Sequence, residues 1–127
     1  MENDIAQIFV NKNGYVSVNS RKVVKVYSTE GKEVTTAYLS TTTAVDTAIS
    51  NDNSELAIAE INYTGSLIQS SIKVISTQKA QTDAENAITY TYKAEKKSII
   101  TSICYQENNT LMCMMDSGII KISQRKR

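Results

Sequence analysis

Ala48-Ile49-Ser50-Asn51-Asp52-Asn53-Ser54-Glu55-Leu56-Ala57-Ile58-Ala59-Glu60-Ile61 is the stretch on which the fold turns. An apolar strand end runs into the polar turn Asn51 to Ser54, and a nearly unbroken apolar run starts at Leu56. A strand whose consecutive residues are apolar expects cover on both faces. Leu111-Met112-Cys113-Met114-Met115 has the same character, whereas Ile88-Thr89-Tyr90-Thr91-Tyr92 alternates strictly, as a half-exposed strand does. Inner strands buried twice and outer strands half wet are what radially stacked sheets produce. A two-layer sandwich would make more of its strands alternate.

Working outward, Val, Ile, Thr, Ser and Tyr dominate the periodic segments, and turn residues separate them every eight to twelve positions or so. The expected strands before the quoted stretch are Ile5 to Val10, Tyr15 to Val18, Val23 to Tyr27, Val34 to Leu39 and Ala44 to Ile49. Those from it onward are Leu56 to Tyr63, Ile72 to Ser76 after a turn holding Gly65, and Ala87 to Tyr92. The last are Ile99 to Tyr105, Leu111 to Met115 and Ile119 to Ile122, with a turn at Asn108-Asn109 between the first two. The helix-leaning Ala84-Glu85-Asn86-Ala87 is too short to hold alone. Sliding the chain by about 55 positions lays Ile49 to Leu56 on Cys104 to Leu111, and periods of this size with about four strands each belong to propellers. The expected fold is therefore all-β, with antiparallel four-stranded propeller-like blades in a partial ring. One blade covers 1–39, a second 44–93, and a partial third 98–123.

Lys25-Val26-Tyr27-Ser28-Thr29-Glu30-Gly31-Lys32, followed by Ala48 to Ala59, resembles a blade junction of the form V-Y-D-x-x-G-K … I-S-P-D-G-x-x-L-A-V. Asn51 stands where that pattern has Pro and Asn53 where it has Gly, and Asn tolerates the left-handed backbone such a turn needs. With Asn13 to Val18 and Asn62 to Ser70 added, the chain resembles an uncharacterised propeller family of clostridial bacteria. The resemblance implies an N-terminal membrane anchor outside this segment and an extracytoplasmic propeller; a cytoplasmic location is the alternative. It assigns no functional residue.

Composition narrows the chemistry. A formal net charge of +1 gives no field for nucleic acid or an anionic membrane. The basic tail Gln124 to Arg127 reads as a solvated chain end. The chain has no His, the commonest general base and metal ligand, and no Trp, the best stacking platform. No run approaches the 18 or so apolar residues of a membrane span. Neither a nucleophile elbow, a P-loop nor a dinucleotide-binding glycine motif occurs, and no cofactor is expected.

Four sets of side chains invite a closer reading. A turn centred on Asn108-Asn109 would set Cys104 opposite Cys113, at about 4.5 Å between Cα atoms in a non-hydrogen-bonded pair. The alternatives there are a disulfide and two free thiols acting as small apolar side chains. Met112 and Met114 would face away from Cys113 and Met115, which argues for packing over a soft-metal site. Asp46, Asp52, Glu55, Asn51 and Asn53 make an oxygen-rich patch without calcium-loop spacing, and turn chemistry accounts for it. Tyr38, Tyr90 and Tyr92, on outer strands, form a candidate contact face.

The expected function is a non-catalytic scaffold that mediates protein interaction at the bacterial cell envelope, its partner protein unidentified. The alternatives are a carbohydrate- or small-ligand-binding module and a piece of a propeller hydrolase. A closed ring takes at least about four blades and this chain holds roughly two and a half. Exposed blade edges invite pairing, so self-association of a segment of a longer protein is expected.

Overall fold

The computed structural model describes residues 5–39, 41–64, 67–78, 87–95, 98–107 and 109–122. The expected turn at Gly65, the helix-leaning Ala84 to Asn86, Asn108 and the basic tail lie outside the described residues. Eleven strands follow one another: β1 (Gln7–Val10), β2 (Val16–Asn19), β3 (Val23–Tyr27), β4 (Glu33–Tyr38), β5 (Thr43–Ile49), β6 (Glu55–Thr64), β7 (Leu67–Ser76), β8 (Ile88–Lys93), β9 (Ile100–Tyr105), β10 (Leu111–Met115) and β11 (Gly118–Ile122). They form three antiparallel meanders, β1-β2-β3-β4, β5-β6-β7-β8 and β9-β10-β11, called here sheets one, two and three. The first strands lie at the seams between sheets: β5 rests against β1 and β2, and β9 against β5 and β6.

Three of the hairpins are built by one local device. In β1–β2 the Asn11 amide donates to Tyr15 O at 2.9 Å and Gly14, at φ +87°, donates to Asn11 O at 3.1 Å. A left-handed residue closing such a turn restores the strand register. Gly14 is also required sterically, because a Cβ there would come within 2.9 Å of Thr29 Cγ2. Gly31 (φ +83°) does the same job in β3–β4, and Asn109 (φ +63°) in β9–β10. The β5–β6 turn uses Asn53 (φ +66°) but joins the Ser50 amide to Glu55 O, one residue further along.

Two hydrophobic layers join the three sheets. On β6, Leu56 and Ile58 point toward sheet one, where they meet Val24, Val26 and Leu39. The intervening Ala57 and Ala59 point toward sheet three and meet Ile103, Leu111, Cys113 and Met115. Strand alternation thus explains the unbroken apolar run: β6 lies inside the middle sheet, covered on both sides. One expectation is extended and another changes. The inner seam strand β5 is buried on both faces from Asp46 to Ile49, and so is β6, the second strand of the sheet, from Leu56 to Glu60. And β10 is covered on one face only: Leu111, Cys113 and Met115 are buried, Met112 is half-buried and Met114 exposed, because sheet three has sheet two on one side and no described sheet on the other.

β6 and β7 are longer than expected. They pair without interruption from Glu55↔Ser76 to Thr64↔Leu67. Their neighbours stop sooner, β5 at Ile61 and β8 at Ser71, so the far end of this hairpin projects beyond the sheet.

Candidate functional site

A buried polar seam runs between the first strands. Alternation puts Asp46 on the same face of β5 as Ala48, and the extra residue Val45, bulging out between Ala44 and Asp46, turns Ala44 to the opposite face. The buried Asp46 carboxylate then accepts from the Gln7 side-chain amide of β1, from the Thr47 amide at 3.0 Å, and from the Ile103 amide of β9 at 2.7 Å. Gln7 Oε1 in turn accepts from the Thr47 amide at 3.2 Å, and the Ser17 and Thr47 hydroxyls share a bond of 2.8 Å. Edge-strand N–H groups at both seams are therefore satisfied by a side chain from the preceding sheet. Glu60, also buried, accepts from the Thr42 hydroxyl at 2.9 Å and sits 3.1 Å from Lys73 Nζ.

At the hairpin-turn end, amides link one turn to the next. Asn11 Nδ2 reaches Ser50 O (3.0 Å) and Asn53 Oδ1 (2.6 Å), and Asn13 donates to Asn51 O. Asn51 continues the series into the third sheet, donating from Nδ2 to Gln106 O (2.6 Å) and from its backbone to Asn109 Oδ1 (2.8 Å). The oxygen-rich patch divides accordingly. Asp46 belongs to the seam, while Asp52 folds back on its own turn, accepting from the Ser54 hydroxyl (2.6 Å), the Ser54 amide (3.1 Å) and the Ser50 hydroxyl (2.8 Å). These bonds, with the Ser54 hydroxyl foremost, hold the Asp52 carboxyl below its ordinary value. The side-chain amides at this end are thus used to join turns. Among the described residues no three His, Cys, Asp or Glu side chains gather as metal ligands.

The cysteines do not face each other. Cys104 pairs with Met112 and Cys113 with Ile103, so the thiols lie on opposite faces, one exposed and one buried, and both are free. The expected register failed by one residue because the Gln106 amide closes on Thr110 O, giving a turn one residue shorter than that of β5–β6. Burial raises the Cys113 thiol above its usual range. The methionines divide as alternation requires, Met112 and Met114 on one face and Met115 on that of Cys113.

The tyrosines divide as well. Tyr90 and Tyr92 are half-buried against the layer between sheets two and three, and burial raises the Tyr92 hydroxyl. Tyr38 is exposed at the end of β4, paired with Val23 on the outward face of sheet one. The three residues form no common contact face.

Among the described residues, exposed apolar side chains group in three places, with Ile5, Val45 and Ile88 exposed singly. The projecting β6–β7 hairpin carries Tyr63 (65% exposed) and Leu67 (63%), with Ile68 paired to Tyr63. Sheet three bares a face with a shallow depression of about 110 Å³ lined by Ser102, Cys104, Met112, Met114 and Ile119. Sheet one bares Ile8 and Val10, each 58% exposed, beside the half-buried Val16, Val18 and Tyr27. Sequence reasoning placed the turn at Gly65 but began the second strand at Ile72, and so missed the projecting arm, although Thr64-Gly65-Ser66-Leu67 carried its signal: two residues including Gly between strand-forming arms.

Comparison with known proteins is consistent with this geometry. The C-terminal WD40 domain of Sif2 matches with a TM-score of 0.65 at 11% identity, over 93% of this chain and 33% of that one. This chain thus spans about a third of that domain's length, and the likeness shows the fold: antiparallel propeller-like blades in a partial ring. No curated protein matches. No helix among the described residues is long and apolar enough to cross a membrane. The profile of a family of unknown function (DUF5711) matches residues 1–127, and the chain belongs to that family.

Proposed function

We propose that this chain is a non-catalytic propeller scaffold of the bacterial cell envelope that docks a protein partner through the projecting β6–β7 hairpin. The observation that carries the reading is the hairpin itself. Its end extends past both neighbouring strands and presents Tyr63, Leu67 and Ile68 to solvent. Exposed apolar side chains on a two-stranded arm supply contact area, which suits protein recognition. A second support is that the buried carboxylates are engaged in holding the fold, Asp46 across the sheets with Gln7 and Ile103, Glu60 within sheet two with Thr42 and Lys73. The envelope location and a membrane anchor outside this segment rest on the resemblance to clostridial propellers.

Photo-crosslinking in intact bacteria tests the reading. A benzophenone amino acid at position 63 or 67 is expected to give one discrete adduct, absent when it is placed at Thr101 on sheet three. Adducts at neither tip position would overturn it. The location is tested with the same cells. A membrane-impermeant maleimide should label the exposed Cys104 without lysis; labelling only after lysis would place the chain in the cytoplasm.

A further inference from the structure

The two bare end faces of the stack match the two halves of its internal layers, with one departure: Lys121, paired with Met112, stands where the buried Val74 does. Paired registers make β9, β10 and β11 the counterparts of β5, β6 and β7, allowing for the shorter turn. Cys104, Met112, Met114 and Ile119 then stand where Ala48, Ala57, Ala59 and Ile72 stand in sheet two. Those four are the residues that sheet three covers. At the other end, Val10, Val16, Val18 and Tyr27 in sheet one stand where Ile49, Leu56, Ile58 and Ile75 stand in sheet two, the face that covers sheet one. Each end lacks what the other end offers.

The charged and polar positions follow the same rule. Lys25, the one cation in the middle of the sheet-one face, is the counterpart of Lys73, which lies inside an internal layer paired with Glu60; Lys25 likewise pairs with Glu33, at 3.8 Å. Along the seam, Gln7 accepts from the Thr47 amide and Asp46 from the Ile103 amide. Gln7, Asp46 and Ser102 are counterparts, as are Ile8, Thr47 and Ile103. The next member of the series is therefore Ser102 accepting from an Ile8 amide, and the Ile8 in register for that belongs to another copy.

We propose that copies of this chain associate head to tail, the bare face of sheet three in one copy packing on the bare face of sheet one in the next. The contact is heterologous, so it continues into a closed ring or an open filament according to the rotation per copy. It is a contact between faces, Ile119 of β11 included, and does not use the β6–β7 tip, so it stands independently of the docking role proposed above.

Sedimentation velocity on the 127-residue chain tests this with two double variants, Ile8→Lys/Val10→Lys and Met114→Lys/Ile119→Lys, all at exposed positions. The unaltered chain is expected to associate as concentration rises. Each variant alone should stay monomeric with an unchanged circular dichroism spectrum, and their equimolar mixture should stop at a heterodimer, because one intact pair of faces remains. A monomeric unaltered chain at high micromolar concentration would overturn the proposal. So would a variant that dimerises alone, which means a face pairing with its own kind, or a mixture that stays monomeric. Leu67→Ser should leave association unchanged; if it abolishes association, the contact runs through the hairpin tip and the face proposal fails, whereas loss of the tip crosslink with association intact removes only the docking role.

Discussion

At the scale of single residues, two carboxylates illustrate opposite uses of charge. Asp46 makes no ion pair among the described residues and is stabilised by donors from all three sheets, so removing it strands the Ile103 amide inside the seam. Asp46→Ala is expected to cost about 2–4 kcal/mol in urea unfolding, the range for a buried charged acceptor whose partners are left unsatisfied. Asp46→Asn should recover only part of this, because its amide nitrogen meets an N–H donor on one side. Asp52 is half in solvent and works within one turn. Its carboxyl lies below the ordinary value of 3.8, chiefly through the Ser54 hydroxyl. A depressed carboxyl stabilises the fold above the unfolded value, and that contribution is lost as pH falls through the folded one. Asp52→Asn keeps an acceptor but removes the charge, so its melting temperature should lie below that of the unaltered chain at neutral pH. The gap should close well below pH 3.8; a gap independent of pH would assign the effect to shape alone.

At the scale of elements, the turn length sets the fate of the two thiols. A three-residue loop in β9–β10 puts Cys104 on the bare face and Cys113 in the layer against sheet two. In an unreduced mass spectrum of the monomer, no two-dalton deficit is expected. A thiol reagent should modify one group quickly and the second only on unfolding, because burial also suppresses the Cys113 thiolate. Two fast thiols would disprove the register. The same loop shows how far sequence reaches. The eleven strands were legible because alternation and turn residues mark them, as in Ile88 to Tyr92 and Asn11 to Gly14. The register of β9 on β10 was not, since a turn of Gln106 to Thr110 and one of Ser50 to Glu55 look alike in composition yet differ by one residue. Nor was the Asp46 seam visible. It depends on partners Gln7 and Ile103, whose nearness to Asp46 arises only once three sheets are stacked.

At the scale of the molecule, a stack of three sheets is quasi-one-dimensional, and its stability is a sum of each sheet and its contacts with neighbours. Sheet two has neighbours on both sides and holds the side chains Leu56, Ile58, Ile72 and Val74, all fully buried. Sheets one and three are covered once, and β11 has no described partner beyond β10. Opening should therefore begin at the ends, since local unfolding selects the segments with fewest buried contacts. Native-state hydrogen exchange at low concentration is expected to show the slowest amides in β6 and β7 and the fastest in β1 and β11. Raising the concentration adds the missing neighbour at each end, by mass action on the folded form. Protection in β1, β2, β9 and β10 should then rise toward that of sheet two, while the β6–β7 tip stays unchanged. Uniform protection across the three sheets at low concentration would mean that they open as one cooperative unit, and the bare faces would then contribute nothing to the order of unfolding.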